Sequence, residues 1–133
     1  MLVADAMVRA PTTHGPGSGV DEVRAFFEDD RVHMALIVAA DGRLLMTIER
    51  PDLAVTAASS MPLERLGTLA GRTVLPSDSL AAATATLLRQ GRRRMAVVDR
   101  AGRLVGLLCL KRDRTGYCSD EGISERRRRR SRC

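Results

Sequence analysis

Met95-Ala96-Val97-Val98-Asp99-Arg100-Ala101-Gly102-Arg103-Leu104-Val105-Gly106-Leu107-Leu108 reads as an apolar strand, a tight turn and a second apolar strand. Such a run is the pattern of a β-hairpin. Sixty positions earlier Ala35–Ile48 repeats it in plainer form, with Gly42-Arg43-Leu44 falling on Gly102-Arg103-Leu104. The register extends outward without a gap. Thr13 falls on Thr73, Pro16 on Pro76, Ala25 on Ala85 and Val38 on Val98, while Val20, Phe27 and Ile37 meet Leu80, Leu87 and Val97. A fixed period of this kind means one supersecondary unit built twice.

Each unit opens with a short extended piece, Val8–Thr13 or Arg72–Leu75, and a turn. Pro76 stops the second of those strands. Ser77, Asp78 or Ser79 can accept from the first free N–H groups of a following helix. The helices have Val20, Val23, Phe26 and Phe27 on one face in the first unit, and Leu80, Ala83, Leu87 and Leu88 in the second. Asp29-Asp30 breaks the first helix and Gly91 ends the second. The hairpin strands are Met34–Ala39 with Leu44–Ile48, and Met95–Val98 with Leu104–Leu110. A weaker helical stretch within Asp52–Leu66, interrupted at Ser59-Ser60-Met61-Pro62, closes the first unit. The order strand, helix, strand, strand, helix, twice over, predicts an α/β (α+β) fold. Each small sheet carries helices on one face, and the two units bury their bare faces against each other about a pseudo-twofold axis. The expected division is residues 1–60, 61–118 and an Arg-rich, disordered tail at 119–133.

Bulk composition narrows the function. With 133 residues and 2% aromatics, the core must be built from Leu, Val, Ile, Met and Ala. The net charge of +6 is carried by Arg126–Arg130 and Arg132, so the body is neutral and a nucleic-acid-binding body is not implied. Lys111 is the single lysine. Cys109, Cys118 and Cys133 are odd in number and widely spaced, which predicts reduced thiols rather than a disulfide scaffold or zinc site, with Cys109 a small core residue. Apolar runs of about seven residues suit buried strands and are too short to span a membrane. No nucleophile elbow, P-loop or HExxH motif is present, so a non-catalytic, cytoplasmic protein without a cofactor or metal is expected.

The order, the period and the Met95–Leu108 hairpin together resemble a tandem pair of CBS (cystathionine-β-synthase type) domains, over roughly residues 5–115. The resemblance implies a regulatory, ligand-sensing module, commonly a homodimer, that binds an adenosyl ligand (AMP, ADP, ATP or S-adenosylmethionine) in clefts between the units. It also implies a Thr or Ser near the end of the third strand and, three residues later, an Asp that holds the ribose hydroxyls. Carried over, Asp52 takes the ribose position in the first unit, with Glu49 for the Thr or Ser and Met46 for the usual Gly. In the second unit Gly106 is kept, but Cys109 stands for the Thr and Arg112 for the Asp. Arg112 has no acceptor for ribose and is suited instead to phosphate. His33 and its repeat-equivalent Arg93 line the expected cleft, and Thr73 and Ser77 flank the turn that approaches the ligand. The run Arg92-Arg93-Arg94 suits phosphate, acidic lipid or a solvated corner. Alternatives are an acidic or nucleic-acid partner held by the Arg tail, or a ligand-free dimerisation scaffold.

Overall fold

The structure, a computed structural model, describes residues 1–54, 63 and 66–118. The expected disordered tail and most of the second half of Asp52–Leu66 lie outside those residues. The described elements are α1 (Val3–Ala6), α2 (Val20–Phe26), β1 (Met34–Val38), β2 (Leu44–Glu49), α3 (Arg50–Ala54), β3 (Thr73–Val74), α4 (Leu80–Gln90), β4 (Arg94–Val98) and β5 (Leu104–Cys109).

The repeat holds at the level of single residue pairs. In β1–β2, Met34 faces Glu49 and Ile37 faces Met46; in β4–β5, Arg94 faces Cys109 and Val97 faces Gly106. Both hairpins are antiparallel and both slip register before their last valine. Gly42 and Gly102, at the two turns, take φ +92° and +83°, a backbone region that favours glycine. β3 adds to β4 in parallel, and a single bridge from His14 to Ile37 is its counterpart in the first unit. Pro11, which stands where the second unit has Gly71, has no N–H to extend that first-unit strand.

Alternation along the strands sorts three cores. Ala35, Ile37, Met46 and Ile48 pack under α2 with Val20, Val23 and Phe27. Met95, Val97 and Leu108 pack under α4 with Ala83 and Leu87. The opposite faces, with Met34, Leu36, Leu44, Ala96, Leu107 and Cys109, meet each other between the units. Both faces of each hairpin are therefore covered, which is why the strands read as unbroken apolar runs rather than alternating ones. Leu88 departs from the expected buried face of α4: it is 47% exposed. One residue turns about a quarter-circle past Leu87, and only the Leu80–Ala83–Leu87 stripe faces the sheet. Ser79 caps α4 by accepting from the Ala82 N–H at 3.2 Å, and Gly91 ends it at φ +65°.

Residues that meet their own repeat-equivalents mark the pseudo-twofold axis. Leu44 N–H donates to Gly102 O and Leu104 N–H donates to Gly42 O, each at 2.9 Å. Arg43 bridges Arg103, and Arg93 reaches His33. The chain ends also cross over. Val8 and Leu107 exchange backbone hydrogen bonds at 2.8 and 2.9 Å, as Thr68 and Thr47 do at 3.0 Å, and these two bridges are related by the same shift of 60. Val3 in α1 packs in the second unit's core, while Leu63 packs in the first.

The same crossing places Met46 on Gly67 and Met7 on Gly106. A Cβ built on Gly67 would lie 2.8–2.9 Å from Met46, and one on Gly106 would lie 2.7 Å from the Met7 sulfur and 2.8 Å from Val8 O. Each crossing thus joins a methionine to a glycine, in opposite order.

The cysteine expectation is corrected. Cys109 and Cys118 are disulfide-bonded, with Cα atoms 5.3 Å apart. A separation of nine looked wide in sequence, but Lys111–Gly116 is a turn. Lys111 N–H donates to Gly116 O at 2.9 Å and Cys118 N–H to Cys109 O at 2.7 Å, so the two cysteines face each other across the turn. Among the described residues no helix follows β5.

Candidate functional site

The first cleft begins where β2 ends. Glu49 is the last residue of β2, and α3 follows at once from Arg50, with Pro51 in its first turn, where no N–H partner is needed. Asp52 reaches back to accept from the Glu49 N–H at 2.8 Å and so caps the start of α3. Its larger engagement is with Arg72, just before β3. Arg72 donates to Asp52 Oδ2 at 2.8 Å and Oδ1 at 3.3 Å, and its Nε lies 3.1 Å from Glu49 Oε2. It also donates to Thr47 O at 3.2 Å. Arg92, following α4, pairs with the same Glu49 oxygen, Oε2, and donates to Gly71 O at 3.0 Å. All four side chains are no more than 19% exposed. Two cations and two anions are thus largely withdrawn from water as a neutral quartet, the condition under which such charges are tolerated.

Beside the quartet lies a cavity of about 390 Å³, lined by His33, Glu49, Arg50, Arg92, Arg93 and Arg94 among others. Arg94 is buried and donates to Arg31 O and Leu110 O at 3.3 and 3.4 Å. Arg50 donates to Asp29 O at 2.8 Å and lies over the Phe27 ring. Arg93 lies 2.6 Å from His33 Nε2. Burial, and then the nearby Arg94, Arg93, Arg50 and Arg112, push His33 down from 6.5 to about 4. At neutral pH His33 is therefore uncharged, and its Nε2 accepts from Arg93. Burial and the charges of Arg112 and Arg114 also lower Arg93. The cavity is a positively charged enclosure, suited to a phosphate or another compact anion.

A shift of 60 carries this cleft onto a different one. Glu49, Asp52, Arg72 and Arg92 become Cys109, Arg112, Thr12 and Val32. The quartet disappears as a set, since three of its members become uncharged. What remains is a cavity of about 50 Å³ lined by Thr12, Phe26, Val32, Met34, Leu36 and Leu107, with His33 and the arginines Arg31 and Arg94. Thr12 Oγ1 and His14 Nδ1 are buried without a hydrogen-bond partner. That space is far smaller than the cavity beside the quartet.

The structure brings Glu49, Asp52, His33 and Arg93 together at one cleft. Arg112 is exposed on the turn after β5 and reaches the cavity only through its field at His33 and Arg93. Thr73 sits in β3 opposite Ala96, and Ser77 is exposed at the turn before α4; neither lines the cavity. Sequence reasoning missed Arg50 and Arg72. For Arg72 a signal exists, because the repeat pairs it with Thr12, a mismatch of the same kind as Asp52 with Arg112.

Residues 72–112 match the CBS domain family. The CBS domain pair of protein MJ0100, solved with 5′-methylthioadenosine and S-adenosyl-L-methionine, matches with a TM-score of 0.68 at 20% identity over 98% of both chains. The fold is that of a CBS domain pair. CBSX2 in complex with AMP matches this pair with a TM-score of 0.69 at 19% identity, again over 98% of both chains. The AMP complex of the CBS domain protein PAE2072 from Pyrobaculum aerophilum gives 0.67 at 23% identity, over 86% of this chain and 95% of the other. At such identities the likeness of the pair to these proteins is one of fold. A comparison with curated proteins gives no match. Among the described residues of the pair, no helix is long and apolar enough to cross a membrane, and no group of His, Cys, Asp and Glu could hold a metal ion.

Proposed function

We propose that this CBS pair is a non-catalytic regulatory module that senses an adenine nucleotide, one per chain, at the first cleft. The observation that carries this reading is the cavity beside Asp52, where Arg50, Arg92, Arg93 and Arg94 converge on a neutral histidine. Arg72 and Arg92 neutralise Glu49, which would otherwise repel a phosphate. The arginine lining favours AMP, ADP or ATP over S-adenosylmethionine, which brings a sulfonium cation and no phosphate. The likeness in fold to AMP-bound CBS proteins supports the same choice. A bound nucleotide bridging the two units would favour one arrangement of them, and so act by population shift. We further propose a homodimer in the cytoplasm, with residues 1–60 and 61–118 as the two repeats and 119–133 as a tail.

Calorimetric titration with AMP, ATP and S-adenosylmethionine tests the reading. AMP or ATP should bind with a stoichiometry near one per chain, and Arg93→Ala should weaken it by about tenfold, the scale of one hydrogen bond to a charged group. Absence of both heat and thermal shift at millimolar nucleotide would refute it.

A further inference from the structure

We propose that Arg72 sets the specificity of the first cleft: by occupying Asp52, it makes the site read a nucleotide's phosphate and not its ribose hydroxyls. The proposal rests on the nucleotide reading above. Asp52 is the carboxylate that the CBS resemblance puts at the ribose hydroxyls, and its acceptors are already occupied. Oδ2 takes the Glu49 N–H and one Arg72 nitrogen, both at 2.8 Å, and Oδ1 takes the other Arg72 nitrogen at 3.3 Å. A carboxylate offers about four acceptor sites, so at most one is left and a paired contact to both hydroxyls is blocked.

Arg72 is not easily displaced. Its guanidinium is held by Asp52, Glu49 and Thr47 O together, and its side chain is only 14% exposed. Its backbone is fixed as well, since Arg72 O accepts from the Ala96 N–H at 2.9 Å. Two neutral hydroxyls in place of Arg72 would break a two-point pairing of cation with anion and leave the largely buried Arg72 charge without that partner. Moreover, the arginine and the acids travel together. In the repeat-related cleft Thr12 replaces Arg72 where Cys109 and Arg112 replace the two acids. An arginine retained only beside the carboxylates is there to answer them.

Two titrations test this. On the wild-type protein, AMP and 2′,3′-dideoxyadenosine monophosphate should bind within about twofold of one another; a preference for AMP beyond about tenfold, or 1.4 kcal/mol, would overturn the proposal. On Arg72→Met, adenosine, which has no phosphate, should bind about tenfold more tightly than on wild type, and Arg72→Met/Asp52→Asn should lose that gain. A folded Arg72→Met protein with no gain also overturns it. Should Arg72→Met fail to fold by circular dichroism, Arg72→Lys, which keeps the charge but not the two-point contact, should still show a smaller gain, and its absence counts equally against Arg72. If wild type binds neither nucleotide, the nucleotide reading fails, and the adenosine comparison judges Arg72 on its own.

Discussion

Met46 and Gly67 in the first unit stand where Gly106 and Met7 stand in the second, so exchanging the first pair should rebuild the second unit's arrangement. Met46→Gly alone empties a side chain that is only 8% exposed. Large-to-small core changes of this kind cost about 2–5 kcal/mol, with somewhat under 1 more for glycine in a strand. Gly67→Met alone drives a Cβ to 2.8–2.9 Å from the Met46 Cβ, Cγ and Sδ. The Met46 Cβ is fixed to β2 and cannot turn away, so about 3 kcal/mol is expected, at the upper end of overpacking costs. Glycine's backbone freedom is not the issue, because Gly67 lies outside the positive-φ set. The double variant removes both faults at once. It should recover to within about 2 kcal/mol of wild type, giving a favourable coupling of at least about 3 kcal/mol in a double-mutant cycle. Urea denaturation of the four proteins, read by circular dichroism, measures it. If the double variant is as unstable as the two single costs added together, the methionine–glycine crossing is not an exchangeable unit and the symmetry reasoning is wrong.

Two further outcomes follow from the titrating and redox groups. Because His33 sits near 4 in the folded protein and 6.5 in the unfolded chain, the unfolded chain takes up the proton first on acidification. His33 therefore adds stability that is present above pH 6.5, declines as pH falls, and is gone below about 4. His33→Gln should flatten the pH–stability curve over that window, and an unchanged slope would show that His33 is not held neutral. Reducing Cys109–Cys118, whose partners are nine residues apart, should lower unfolding stability by about 2–3 kcal/mol on the loop-closure scale. A melting temperature indifferent to a dithiol reductant, with three thiols per chain rather than one titrating before it is added, would remove the bond from the account.

Much of the fold was legible because local chemistry specifies it. The strands announce themselves as apolar runs, the turns by Asp41-Gly42 and Gly102, and α4 by Ser79 and Gly91. The period of 60 then states that the unit occurs twice. The candidate site was legible only in part. Glu49, Asp52 and His33 stand at positions the repeat itself picks out, and the mismatches Asp52 with Arg112 and Glu49 with Cys109 already set the two clefts apart. Arg72 was marked only by its mismatch with Thr12, and nothing in the sequence near it names Asp52, twenty residues earlier, as its partner. Leu88 failed for a related reason: helical periodicity gives the width of an apolar stripe, but the sheet beneath decides which edge of it is covered.

The sequence by itself determined the elements, their order and their duplication, because these depend on turn chemistry, capping and burial period within a few residues. Tertiary structure alone decided what crosses between the copies. It carried Val3 and Val8 onto the second unit. It also closed Arg72 and Arg92 on Glu49 and Asp52 in one cleft while leaving the other without such a quartet. Those outcomes depend on how two similar faces dock, and docking brings together residues 20 to 100 positions apart whose pairing no local pattern encodes.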